Sequence, residues 1–469
     1  MNATQFKIFF VLSFIYCLHV VPGGGINANR YLDLTYSLAD KGMVFIDDYH
    51  ENTIDKALKD GHYISAGLPG PSLWAIASYE IFKNVSHLLP QPIKNKFRIA
   101  SYFTPPKKTI FDPTRPDYYF FSAIWITCFS LSLLSAFGSA VLFDLLCDLG
   151  TLPRGALIAT LAYALATPVF YFSTTYFSHV ITATLLIFFF KLLASSESKG
   201  PAFMFFAGLA AGATILSEYY GLVIIVCGAA YVFAKRGWSG LFYYSLGVGL
   251  CSPALLIYNL EALGGILKVP HSYLVGDNRI KVHGVGLLGF TLPHRRRLYG
   301  LLFSSARGIF VYSPILLLGV WGWWVKFRKK DLYQTFIVLA AGISFLIFIW
   351  VACYQDWRGG ASFGPRQLIL LMPALAAGLG FGLSVTPKKI WVPLLIWSVI
   401  VNWLGAQYGF AEKVLEHFYA IPQKGFMPPI VRPLINQGGN FSFMVSAVYL
   451  CLMFLLFALF ADEFKRSSS

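Results

Sequence analysis

Acidic residues are scarce in this chain. Its 469 residues include only 22 Asp and Glu, and 13% of residues are charged. A soluble domain carries about 25% charged residues, so an ordinary water-soluble globule is excluded. There is no cysteine framework either. Cys17, Cys128, Cys147, Cys227, Cys251, Cys353 and Cys451 all fall within or at the ends of apolar runs, and none has a C-x-x-C neighbour. They read as small buried hydrophobes. No spacing suits a metal, since His50 and His62 stand far apart in a polar stretch. Walker, G-x-S-x-G, kinase and nucleic-acid motifs are missing. The net charge of +15 therefore points to loop charge and anionic lipid rather than to nucleic acid. The alternating polarity of outer-membrane strands is missing too.

What is abundant is hydrocarbon. The chain is 57% hydrophobic, its mean hydropathy is +0.62, and its apolar runs recur at about 20 residues each. Runs fall at about 6–22, 118–146, 155–172, 178–196, 201–216, 219–234, 239–259, 308–325, 332–352, 367–385, 389–407 and 442–461. The expected fold is an all-α polytopic membrane bundle of roughly twelve transmembrane helices. The first run resembles a signal peptide, but no A-x-A site follows it, so we expect a retained span. The expected organisation is a first helix (1–23), a large polar loop (24–116), helices (117–259), a loop (260–307), helices (308–407), a loop (408–441) and a last helix with its tail (442–469).

Basic residues set the orientation. Arg154, Lys199, Lys235, Arg236, Lys326, Arg328, Lys329, Lys330, Lys388 and Lys389 share the short loops of one side, against Arg358 and Arg366 on the other. The first side reads as cytoplasmic, which puts 24–116 outside.

That loop holds the chemistry-bearing residues. Between Asn27 and Ser72 stand Asp33, Asp40, Asp47, Asp48, Glu51, Asp55 and Asp60. Residues 29–41 are amphipathic at helical spacing, with Arg30, Asp33, Ser37 and Asp40 on one face, which predicts an interfacial helix ending at Gly42. A second interfacial or re-entrant helix is expected over 71–89. Carboxylates beside a membrane surface suit proton abstraction from an acceptor, so Asp33, Asp47, Asp48 and Asp55 are the candidate bases. Outward guanidiniums suit a lipid phosphate, which Arg grips bidentately. Arg30, Arg307 and Arg366 are the candidates, the last two at the mouths of spans where charge needs a partner. Lys94, Lys96, Arg98, Lys107, Lys108, Arg115, Lys268, Arg279, Lys281 and Arg295 to Arg297 add positive charge on that side. His62, Tyr63, His179, Glu218, Tyr219 and Arg358 are candidate substrate contacts. No metal ligand set is assigned; a divalent cation among the acids stays open.

Four stretches, in order, carry a resemblance: NANRYLDLTYSLADKGMVFIDDYHENTIDKALKDGHYIS with the following PGPSLWA; SPALLIYNLEALGG (252–265); LLFSSARGIFVYSPILLLG (301–319); and WRGGASFGPRQLILLMPAL (357–375). Together the chain resembles the bacterial GT-C glycosyltransferases, relatives of protein O-mannosyltransferases and of the lipid A aminoarabinose transferase. The resemblance implies a multi-pass protein of the bacterial inner membrane and cell envelope. It also implies an inverting transfer outside the cytoplasm, from a polyprenyl-phosphate sugar to a lipid, glycan or protein acceptor. Where relatives have an acidic pair before Arg-Tyr, this chain reads Asn27-Ala28-Asn29. Where they have a Lys ahead of the loop's Pro, it reads Gly67 or Leu68. Either another loop acid has become the base, or the fold serves as a non-catalytic membrane factor. A lipid-sugar transporter or flippase is the third reading; it calls for charged groups near mid-span, whereas Asp144 and Lys191 sit towards span ends.

Overall fold

Helix α1 (Ala3–Leu18) opens on a capping box. The Asn2 side chain accepts from the Gln5 amide at 2.9 Å, and the Gln5 side chain returns the bond to the Asn2 amide at 2.7 Å, so two orphan donors are satisfied. The computed structural model describes residues 1–21, 25–88, 116–195, 200–276, 286, 289–329, 333–431 and 439–465. In the polar loop, α2 (Ile26–Lys41) stops at Gly42, φ 66°, a left-handed cap. A hairpin of β1 (Lys56–Lys59) and β2 (His62–Ser65) follows, with Lys59 opposite His62. Its two-residue turn is Asp60-Gly61, φ 50° and 86°, the positive pair that a right-twisted hairpin demands. Helix α3 (Gly70–Val85) closes the described part of the loop.

The bundle then runs through α4 (Pro116–Ile126) and α5 (Leu133–Asp148), joined by a π-helical turn at Thr127–Ser132. The freed Ser130 carbonyl accepts from the Trp74 indole of α3 at 2.6 Å. Next come α6 (Pro153–Leu165), α7 (Ser178–Ala194), α8 (Ala202–Ser217) and α9 (Gly221–Leu263). The stretch α9 is two helical halves joined at Gly237, where φ 60° and ψ −156° suit only glycine; the second half folds back on the first, with Tyr244 Oη donating to Ile225 O at 3.1 Å. The break expected between 234 and 239 is present, at Gly237. After α10 (Arg295–Phe303) come α11 (Leu317–Arg328), α12 (Gln334–Cys353), α13 (Met372–Val385), α14 (Lys388–Tyr408) and α15 (Gly439–Ala458).

Among the described residues, five helices are long and apolar enough to cross a membrane, and four shorter ones are apolar. The expected runs at 155–172 and 308–325 are interrupted. The first divides into α6 and a single turn, Val169–Phe172; the second has single turns at Ile309–Tyr312 and Pro314–Leu316 before α11. Pro168 and Pro314 lack the amide that a continuous helix needs. Outward-facing Phe242, Leu246, Leu250 and Ile257 of α9 and Phe345 and Leu346 of α12 are exposed. Side chains of this kind on an outer face suit lipid rather than water, as in an integral membrane protein.

Two helix crossings are close because glycine lines them. A Cβ on Gly208 of α8 would stand 2.0 Å from the Tyr244 carbonyl oxygen of α9, and one on Gly322 of α11 would stand 1.9 Å from the Gly378 oxygen of α13. Small residues let membrane helices approach where lipid supplies no hydrophobic drive. On the end opposite the polar loop, Lys191 pairs with Asp144 at 2.6 Å and Asp148 at 2.5 Å.

Candidate active site

The polar segments meet at one end of the bundle. Ala57 of the hairpin bridges to Leu274, and Phe290 bridges to Tyr354. Val414 N donates to Ser305 O at 2.9 Å. Arg307 donates from Nε to Arg358 O and from Nη2 to Gly360 O, both at 2.8 Å.

Where α2 enters this junction, one guanidinium pairs with a carboxylate, and an amide links that carboxylate to a second guanidinium. Arg30 Nη1 lies 2.7 Å from Asp55 Oδ2. The Asn27 amide, oriented to satisfy both neighbours, donates to the same oxygen at 2.9 Å and accepts from Arg366 Nη1 at 3.0 Å. Arg30 Nη2 also donates to Tyr31 Oη at 2.6 Å, which in turn donates to Ser178 Oγ at 3.0 Å. Ser178 donates on to Glu218, and His179 Nδ1 lies 2.8 Å from the same Glu218 oxygen. Tyr219 follows Glu218 and packs its ring 5.8 Å from His271. Of the expected residues, Arg30, Asp55, Arg366, His179 and Glu218 thus belong to one connected network. Arg30 Nε and Arg366 Nε are buried without a hydrogen-bond partner. A buried guanidinium donor left unsatisfied is costly, and an anion would satisfy it.

Two glycines seat these arginines. A Cβ at Gly67 would stand 2.5 Å from the Tyr31 ring and 3.0 Å from Arg30 Nε; one at Gly359, φ 67°, would stand 2.6 Å from Arg366 Nε. Thus Tyr31 and Arg30 fill the space that a lysine at position 67 would need.

The other candidate bases lie elsewhere. Asp47 accepts from His62 Nδ1 at 2.7 Å and from the Tyr63 amide at 2.6 Å, and Asp48 pairs with Lys41. Both pairs sit on the loop's exposed side, and they hold His62 and Tyr63 there; Tyr63 stacks on His50 at 3.8 Å. Asp33 is 1% exposed. The amphipathic reading of α2 put Asp33 and Ser37 on a solvated face. They are buried because the segment after the helix folds back over that face: Asn52 Nδ2 donates to Asp33 Oδ1 at 3.1 Å, and Ser37 bonds Phe45 O. Burial pushes the Asp33 carboxyl well above its usual range, against the weaker pull of Asn52 and Lys56. A carboxyl whose folded pKa is raised favours folding in its protonated form, and that contribution fades as pH climbs from the ordinary Asp range to the raised value. Asp33→Asn, which mimics the neutral form, is therefore expected to raise the unfolding temperature at pH 8 by roughly 2–4 °C and to leave it unchanged at pH 4. Thermal unfolding of the detergent-purified protein at both pH values checks this.

Beside the network opens a cleft of about 310 Å³ whose lining includes Arg307, Asp356, Arg358, Phe410 and Glu412. Arg307 also donates from Nη1 to Ala306 O at 2.7 Å, so each of its guanidinium nitrogens holds a carbonyl. It fixes the 358–360 turn instead of presenting a free fork. The exposed Arg358 lies 5.4 Å over the Trp357 ring.

Sequence reasoning passed over Asn27, Ser178, Asp356 and Glu412. Asp356 stands beside Arg358 in the quoted motif and was the legible one; the amide and the serine carry no chemical signal until their partners are seen. The basic residues at 94–115 and Arg279 and Lys281 lie outside the described residues. Among the described residues no three His, Cys, Asp or Glu side chains come together to hold a metal ion.

No family model matches the sequence, and no curated protein is similar to it. Solved structures are. The structure of ArnT from Cupriavidus metallidurans bound to undecaprenyl phosphate aligns with a TM-score of 0.51 at 14% identity, over 97% of this chain and 77% of that one. The archaeal oligosaccharyltransferase AglB from Archaeoglobus fulgidus, in complex with an inhibitory peptide and a dolichol-phosphate, aligns with a TM-score of 0.47 at 12% identity, over 92% of this chain and 55% of that one. ArnT is a GT-C superfamily member, and the likeness of this chain to it is one of fold. The architecture built up above, a helical bundle capped at one end by a folded polar loop, is the GT-C fold.

Proposed function

We propose that this protein is a multi-pass glycosyltransferase that takes a sugar from a polyprenyl-phosphate donor, with its polar loop on the outer face of a bacterial inner membrane. The acceptor is a lipid, glycan or protein. The observation that carries the reading is the pair of arginines at the mouth of the bundle, half-buried Arg30 on Asp55 and buried Arg366 on Asn27, each with a buried, spare Nε. Two guanidiniums beside hydrocarbon match a phosphate on an isoprenoid tail. The undecaprenyl phosphate of the ArnT structure supports the same ligand class.

In the proposed reaction the acceptor's O–H or N–H group attacks the anomeric carbon in line, and the bond from that carbon to the phosphate oxygen breaks. Lipid phosphate leaves with the bonding electrons, and the configuration inverts. Asp55, held by Arg30 at 2.7 Å, takes the acceptor proton. Arg30 and Arg366 neutralise the charge growing on the leaving phosphate. Arg307 keeps the 358–360 turn behind Arg366 in place. Asp33, sealed beneath the segment after α2, supports the loop, while Asp47 and Asp48 tie down its surface.

Arg366→Ala is expected to weaken undecaprenyl phosphate binding at least 10-fold, read by native mass spectrometry of the protein in nanodiscs. Unchanged affinity would overturn the phosphate assignment. Asn27 favours a second reading, a non-catalytic factor on the same fold, because a neutral amide stands where the resemblance places an acid. Incubation of the purified protein with polyprenyl-phosphate hexose and a mixed envelope extract separates the two: a transferase releases free lipid phosphate, and a binding factor retains the donor intact.

A further inference from the structure

We infer that the cleft beside the arginine network is a subsite for a single hydroxyl-rich sugar ring, held by Asp356, Glu412, Arg358 and Phe410. The inference rests on the transferase reading and gives that site a ligand class. Asp356 and Glu412 reach the cleft from two separate loops, and among the described residues neither forms an ion pair. Arg307 and Arg358 in the same lining balance their charge, and the two carboxylates present several acceptor sites for hydroxyl hydrogens. Arg358 supplies donors for hydroxyl and ring oxygens. Phe410, 47% exposed, offers an apolar wall against which the C–H face of a pyranose packs. The opening of about 310 Å³ lies at the small end of ligand sites; it suits one ring and is small for an extended peptide.

The position of the cleft matters as much as its lining. Gly360 lines it, while its neighbour Gly359 abuts Arg366 so closely that a Cβ there would stand 2.6 Å from Nε. One turn therefore separates the ring subsite from the proposed phosphate grip, and Arg307 pins that turn through Arg358 O and Gly360 O. A ring in the cleft stands beside the phosphate, where either the donor's sugar or the acceptor's terminal sugar has to be. The chemistry is shared, and the experiment tells the sources apart.

The test is saturation-transfer NMR on the full chain in nanodiscs, with methyl α-D-mannopyranoside and methyl β-D-glucopyranoside as probes. At least one is expected to receive saturation from the wild type. The signal should fall at least fivefold in Asp356→Asn/Glu412→Gln and in Phe410→Ala, while each variant still binds undecaprenyl phosphate, which shows that it is folded. If a sugar-bearing undecaprenyl phosphate displaces the probe and the bare lipid phosphate does not, the ring is the donor's. If the probe stays bound beside the sugar-bearing lipid, the ring is the acceptor's. Equal signals in wild type and variants overturn the subsite, as does a wild type that binds undecaprenyl phosphate but neither glycoside. Glycoside binding that depends on Asp356 and Glu412, in a protein that ignores undecaprenyl phosphate, overturns the donor reading and keeps the sugar cleft.

Discussion

Asp55→Asn should lower sugar transfer by about 100-fold or more, the range seen when a positioned base is removed. The amide keeps the volume of the carboxylate and can still accept from Arg30, so the change removes the proton acceptor and little of the packing. The unfolding temperature should fall by only a few degrees, in contrast to the loss in kcat. Asp47→Asn and Asp48→Asn serve as controls. Their carboxylates are engaged by His62 and Lys41 on the exposed side of the loop, so each should retain transfer within about twofold, surface substitutions being worth under about 0.5 kcal/mol. Release of polyprenyl phosphate under single-turnover conditions reads the effect directly. Full transfer by Asp55→Asn would remove Asp55 as the base and turn attention to Asp356, the carboxylate that lines the adjoining cleft.

The largest effect on stability is expected at Gly322. Gly322→Ala puts a methyl group 1.9 Å from the Gly378 oxygen and 2.5 Å from the Gly382 amide nitrogen. Both obstacles are backbone, so no rotamer change relieves the clash and α11 and α13 must separate. Overpacking costs typically 1–3 kcal/mol; a backbone clash at a glycine-lined crossing should reach about 3 kcal/mol, with a sharp loss of folded protein. The matched control is Gly342→Ala, where nothing lies within 4 Å of the new Cβ. The same change there should be neutral or stabilising by up to about 1 kcal/mol, since alanine is the better helix former. Unfolding of both variants in mixed micelles under increasing SDS gives the comparison. Equal stability would mean that the crossing adjusts freely.

Elements ruled by local chemistry were legible in the sequence. The end of α2 at Gly42 follows from which residues accept positive φ, and the break expected between 234 and 239 falls at another such glycine, Gly237. The apolar runs located the helices, and Pro168 and Pro314 account for the two runs that break. The basic bias of the short loops grouped the polar segments on one side, and they do meet. For the site, the sequence singled out Arg30, Asp55, Arg366, His179 and Glu218 without showing that they touch. It treated four loop acids as equals, because adjacent acids in a polar stretch differ only in what folds over them.

By itself, the sequence determined that the chain is a helical membrane protein with one acid-rich loop, since a hydrocarbon environment and backbone sterics act on each segment separately. Tertiary structure alone decided which loop acid pairs with Arg30, which is sealed away, and that Asn27 joins α2 to Arg366. Those outcomes depend on desolvation and on partners from distant parts of the chain, and no local pattern encodes either.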